Sequence, residues 1–184
     1  RERYAIPIIE VITPGARGAV RSTRSQKVGI IGTETTIKSN AYQKAIQALN
    51  PQIEVFTRPC PLFVPLAEEG WCDPQDEIVR LIALRYLEEL QGHGIDTLVL
   101  GCTHYPLLKG VIQKVMGDPV TLIDSAEETA REVKKLLEEN GLLQALTVNG
   151  TCSFFVTDIP HRFIETGKLF LGKEIETVQL IDIL

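Results

Sequence analysis

Short β-rich apolar runs alternate with stretches of helical spacing along the whole chain, and this alternation limits the architectures open to it. Strand-like runs lie at 6–12, 27–32, 53–57, 98–100, 120–124, 153–157 and 177–183. Between them, helical spacing covers 14–20, 36–49, 106–116, 125–141 and 159–171, and a long helix opens at Asp73-Pro74 and stops at His93-Gly94. The expected class is α/β, a sandwich built on a parallel sheet. With 184 residues the chain can bury a real core, as one sizeable domain or two small ones.

Local signals sharpen the expectation. Pro7 suits a strand edge or start, and Pro14 suits a first helical turn. Tyr42, Ala45, Ile46 and Leu49 share one helix face, as do Ile78, Ile82, Tyr86 and Leu90. Ser125 with Glu128 three residues on forms a capping box, and Ala126, Ala130, Val133 and Leu137 mark the buried stripe of that helix. The proline-dense stretch 58–70 fits an ordered loop, and 142–150 fits a connection. No solenoid-period repeat or low-complexity segment interrupts the pattern.

Charge and composition exclude some functions. A net charge of −5 argues against nucleic acid as a partner, since phosphate binding wants a basic face. No apolar run approaches a membrane span, so no membrane partner is expected. Cys60, Cys72, Cys102 and Cys152 are widely spaced with no C-x-x-C pair, which points to free thiols in a reducing, cytoplasmic setting.

The chemistry concentrates in Leu98-Val99-Leu100-Gly101-Cys102-Thr103-His104-Tyr105-Pro106. A strand stops at a glycine, and thiol, hydroxyl and imidazole follow on consecutive positions before a helix opened by proline. Carboxyl ends of strands in α/β proteins are where ligands bind. A helix N-terminus offers free N–H groups that lower the cost of a thiolate. A lone cysteine there would be read as buried packing; Cys-Thr-His together favours thiol acid/base chemistry, with His104 assisting. Glu68 is a candidate to orient a histidine or an ammonium, against the alternative of a solvated loop carboxylate. Thr33, Thr35 and Thr36 at a helix start offer hydroxyls to a small anion, although capping by one threonine explains such clusters equally well. Gly29 and Gly32 supply only two glycines of a dinucleotide fingerprint, so no nucleotide site is expected. Only Cys102 and His104 lie close among the metal-ligating types, and no metal is expected either.

The run Gly101-Cys102-Thr103-His104-Tyr105-Pro106 resembles the second catalytic cysteine motif of the glutamate racemase family. Pro14-Gly15-Ala16-Arg17, Gly29-Ile30-Ile31-Gly32-Thr33, Thr36-Ile37-Lys38-Ser39-Asn40-Ala41-Tyr42, Cys60-Pro61-Leu62-Phe63-Val64-Pro65 and Asp124-Ser125 are similar to its other motifs in the same order. The resemblance implies two pseudo-symmetric α/β domains closing over glutamate, with no cofactor and one cysteine on each face of Cα. It implies L- to D-glutamate interconversion for peptidoglycan synthesis. It assigns catalysis to Cys102, His104 and Glu68, and substrate contact to Thr103 and His104; Thr33 and Thr36, with their hydroxyls at a helix start, are the further candidates for substrate contact.

By the same analogy, residues 1–13 are the tail of a first domain, 14–124 a complete second domain and 125–184 a segment returning to the first. The family's Asp-Ser pair, Pro-Tyr-Gly stretch and first Cys-Asn-Thr motif do not occur in these 184 residues, and the chain starts at Arg1 with Met116 its only methionine. A piece of a longer product, inactive alone, is the expectation, with under-buried apolar faces in 125–184 and association into a homodimer or with another chain. Another racemase of the superfamily, such as one acting on aspartate, and a non-catalytic interaction module remain the alternatives.

Overall fold

Four strands, β1 (Lys27–Gly32), β2 (Glu54–Pro59), β3 (Thr97–Leu100) and β4 (Thr121–Asp124), form a sheet in the order β2-β1-β3-β4, parallel at every pairing. In the computed structural model, which describes residues 6–144 and 150–182, this sheet belongs to a unit ending at Leu143. Every residue of β3 is buried, as a strand covered on both faces must be. The alternation of the strands separates two cores. Ile31, Leu98 and Leu100 pack on one face, with α4 (Phe63–Glu68), α5 (Glu77–Gly92) and α6 (Lys109–Met116). Val28, Ile30, Val99 and Ile123 pack on the other, with α1 (Ile12–Ser22) and α3 (Ala41–Leu49). This is the parallel-sheet sandwich the alternation predicts.

Several local expectations are corrected. Residues 6–11 form no strand: Glu10 instead caps α1, its carboxylate accepting from the Ile12 N–H at 2.5 Å and the Thr13 N–H at 3.0 Å. An apolar run without a partner strand has no ladder to join. The helix expected over 36–49 is split into α2 (Glu34–Ser39) and α3, because Asn40 adopts the left-handed conformation at φ 55°. The stretch 58–70 holds the end of β2 and all of α4. Helix α5 starts later than Asp73-Pro74, capped by Asp76 through the N–H groups of Ile78 and Val79. Its core face carries Val79, Ala83, Leu87 and the expected Leu90; Ile82 and Tyr86 pack half-buried at its edge, and only Ile78 of the expected stripe is exposed, at 57%.

Helix α7 (Ser125–Glu139) is capped by Asp124 and not by Ser125, with Ala126 and Glu127 donating at 2.8 and 3.4 Å. Ser125 sits one position inside, buried. The stripe of Ala126, Ala130 and Val133 is exposed; α7 docks on α1 through buried Glu128, which pairs with Arg21 at 2.9 Å and with Arg131. Gly18 of α1 allows that approach, since an added Cβ would lie 3.0 Å from the Glu128 side chain.

The second unit begins at Gln144. It pairs β5 (Phe154–Val156) and β6 (Val178–Leu180) in parallel, with α8 (Pro160–Leu171) between them in sequence. Ile175 is buried, yet α8 buries no residue and Phe155, Ile159, Leu169 and Leu180 are exposed. Within the connection expected over 142–150, residues 145–149 lie outside the described residues. So does Ile183 of the expected closing strand.

Candidate active site

Strand order reverses between β1 and β3, and the turns leaving these two strands diverge there to leave a crevice. The two strand ends come close: a Cβ on Gly32 would lie 3.3 Å from the Gly101 carbonyl. A cavity of about 300 Å³ opens beside them. Cys102, Thr103, Thr36, Tyr42, Asp124 and Ser125 are among the residues lining it, so β1, β3 and β4 all contribute through the segments that follow them.

Cys102 is half-buried on the turn after β3. The backbone N–H groups of His104 and Tyr105 lie near its sulfur at the start of a 3₁₀ turn (Tyr105–Leu108), and the Tyr105 N–H donates to the Cys102 carbonyl at 3.2 Å. These donors favour the thiolate, but burial outweighs them and pushes the Cys102 thiol above its ordinary value. The expected lowering by a helix start is therefore present as contacts and absent as a net shift.

His104 Nδ1 lies 3.9 Å from the Cys102 sulfur and 3.4 Å from the Thr103 hydroxyl. Its Nε2 lies 3.2 Å from Glu68 Oε1, the two side chains 25% and 28% exposed. An imidazole whose Nε2–H donates to Glu68 presents Nδ1 as an acceptor toward the thiol. Glu68, imidazole and sulfur thus form one line, although His104 and Glu68 are not among the cavity-lining residues. Thr33 caps α2, accepting from the Thr36 N–H at 3.3 Å. Its hydroxyl meets that of Thr36 at 3.0 Å, so Thr36 reaches the cavity and Thr33 stands behind it.

Sequence reading missed Tyr42, Asp124 and Ser125 as site residues. All three fall in runs similar to the family's motifs, but Tyr42 was read for its core signal and Ser125 for its capping signal. Asp124 stands at a strand end before a helix; it pairs with Lys109 at 2.6 Å while capping α7. Cys60 is fully buried and its thiol is pushed up to about 12 by desolvation. Of the cysteines only Cys102 lines the cavity. Among the described residues no three His, Cys, Asp or Glu side chains are grouped to hold a metal ion. No described helix is long and apolar enough to cross a membrane.

Residues 1–133 match the profile of the Asp/Glu/hydantoin racemase family. A glutamate racemase of Geobacter metallireducens is 52% identical over 183 residues, covering 100% of this chain and 67% of that protein. Among solved structures, a glutamate racemase isoform from Bacillus anthracis superposes with a TM-score of 0.90 at 40% identity, over 99% of this chain and 67% of that one. A glutamate racemase from Francisella tularensis, solved in complex with D-glutamate, gives 0.86 at 41%, over 97% of this chain and 65% of that one. The chain thus spans about two thirds of the length of these relatives.

Proposed function

This chain belongs to the Asp/Glu/hydantoin racemase family, and from that premise we propose that it supplies one of the two acid/base thiols of a cofactor-independent glutamate racemase. The observation that carries the reading is the sulfur of Cys102 at the strand-order reversal, lining a small-molecule cavity with His104 at 3.9 Å.

In this reading glutamate sits with its Cα–H toward the Cys102 sulfur. The thiolate takes the α-proton and leaves a carbanion delocalised into the carboxylate; a thiol on the opposite face returns a proton to Cα with inverted configuration. In the reverse direction Cys102 is the proton donor. His104 accepts the Cys102 proton through Nδ1 when the thiolate is needed, and Glu68 stabilises the imidazolium that results. Burial raises the Cys102 thiol, which suits a group that must hold a proton for half of the cycle. Thr103 and Thr36 offer hydroxyls to the substrate's polar ends, with Thr33 fixing Thr36.

The second thiol is proposed to come from outside these 184 residues, since no other cysteine lines the cavity. Residues 1–13 and 125–184 are assigned by family analogy to a first domain and 14–124 to a second; the thin burial of α8 favours this, while α7 docks on α1 within the four-stranded unit. An apolar surface of this kind also supports association, with a second copy or with another chain. Free thiols fit a reducing, cytoplasmic setting and a role in supplying D-glutamate to peptidoglycan.

The test combines this chain with the remaining third of the Geobacter metallireducens relative and follows α-hydrogen exchange of glutamate in deuterated water. Exchange that depends on Cys102 supports the assignment. Exchange that survives Cys102→Ala with both glutamate enantiomers removes the thiol from the mechanism, since the opposite thiol alone can serve only one of them, and faster exchange with aspartate would move the reading to an aspartate racemase.

A further inference from the structure

We propose that Tyr42 and Ser125 are positioning residues for the thiol: together they pin the last peptide of β3, from which the Cys102 turn departs. The inference rests on reading Cys102 as an acid/base thiol, and its test is independent of that reading. Ser125 Oγ donates to the Leu100 carbonyl at 3.2 Å. A hydroxyl has one proton, so the 2.8 Å contact between Ser125 Oγ and the Tyr42 hydroxyl is donated by tyrosine. Burial raises the Tyr42 phenol, outweighing the Ser125 contact, so the phenol keeps its proton through neutral pH. On the other side of the same peptide the Gly101 N–H donates to the Ile31 carbonyl at 2.8 Å. The Leu100–Gly101 peptide is therefore held at both ends of its dipole, from α3 and α7 on one side and from β1 on the other.

Three bare positions leave room for this arrangement. An added Cβ at Gly15 would lie 2.7 Å from Ser125 Oγ and 3.0 Å from the Tyr42 ring, and one at Gly101 would lie 3.1 Å from the same ring. Gly18 lets α7 approach α1, which places Ser125. Neither hydroxyl is asked to touch the reacting atoms. Their effect travels through one peptide: if it rotates, the Cys102 carbonyl that accepts the Tyr105 N–H at 3.2 Å moves, and with it the His104 and Tyr105 amides that favour the thiolate. The titratable groups facing the thiol are His104, with Glu68 behind it, Asp124 across the cavity, and the phenols of Tyr42 and Tyr105.

The experiment is site-resolved alkylation of Cys102 as a function of pH, read by peptide mapping in the 184-residue chain. Tyr42→Phe and Ser125→Ala are each expected to raise the midpoint of the Cys102 profile by roughly half to one pH unit, the equivalent of one modest hydrogen bond. Thr97→Val removes a buried hydroxyl contact to Asp96 at the opposite end of β3 and is expected to leave the profile in place, separating positioning from general loosening. Should Ser125→Ala fail to fold, Tyr42→Phe decides, because it keeps the packed ring and loses one oxygen. Profiles of the two variants that superimpose on the wild type, or an equal rise in Thr97→Val, overturn the proposal. Failure of the thiol reading shows elsewhere, as exchange of both glutamate enantiomers that survives Cys102→Ala.

Discussion

Gly101→Ala is expected to destabilise the first unit and disturb the thiol, although the backbone there lies outside the left-handed region and any residue could adopt it. The obstacle is space. The added Cβ would lie 2.8 Å from the Ile31 carbonyl oxygen and 3.1 Å from the Tyr42 ring, where ordinary contact starts at 3.4 Å. Relief therefore requires 3.4 − 2.8 = 0.6 Å on one side and 3.4 − 3.1 = 0.3 Å on the other. The Ile31 oxygen cannot retreat cheaply, since it accepts the Gly101 N–H at 2.8 Å inside the sheet. Overpacking of this kind costs about 1–3 kcal/mol. Lower chain entropy in the unfolded alanine variant returns about 0.4–1 kcal/mol, so a net loss centred on about 1.3 kcal/mol is expected. Urea unfolding of the wild type and the variant measures it, and Cys102 alkylation of the folded variant should shift in the same experiment. Gly92→Ala is the matched control: its Cβ would meet nothing within 4 Å, and it should be neutral or stabilising. A Gly101→Ala protein as stable as the wild type would refute the claim that β1 and β3 meet too closely at this turn for a side chain.

Asp124→Ala should cost about 1–2 kcal/mol through the lost cap of α7, while Asp124→Asn, which keeps an acceptor, should recover most of it in urea melts. Asp96 gives a pH signature: burial raises its carboxyl, but hydrogen bonds from Thr23, the Ser25 and Arg24 amides and Thr97 prevail and hold it at about 2, below the ordinary 3.8. A depressed folded-state value means the contribution is complete above the unfolded value and is lost as pH falls from about 4 toward 2; Asp96→Asn should flatten that part of the stability profile. The 184-residue polypeptide by itself should form no D-glutamate, checked by chiral chromatography after long incubation; measurable racemisation would show that one lining thiol suffices.

The turn after β3 was legible because its signals are local. A fully apolar strand, a glycine stop and Cys-Thr-His before Tyr-Pro occupy consecutive positions, and spacing alone places them at a strand's carboxyl end. Helix phase was less secure. Both Ile78-Ile82-Tyr86 and Val79-Ala83-Leu87 are apolar at the same spacing, one residue apart; the neighbouring strand and α6 bury the second set fully and leave Ile82 and Tyr86 at the edge of the same core. The strand expected at 6–12 failed for a related reason, because extended structure needs a partner that sequence does not display.

Periodicity and adjacent residues are enough to establish the α/β class, the position of the reactive turn and the residue types it carries. Tertiary structure decided what that turn touches. Glu68 reaches His104, Tyr42 reaches Ser125 and Ser125 reaches the Leu100 carbonyl across separations with no periodicity to betray them. Whether Cys102 is eased toward thiolate or held as thiol was likewise settled only in three dimensions, because amide donors and desolvation oppose each other there and their balance depends on how deeply the fold buries the sulfur.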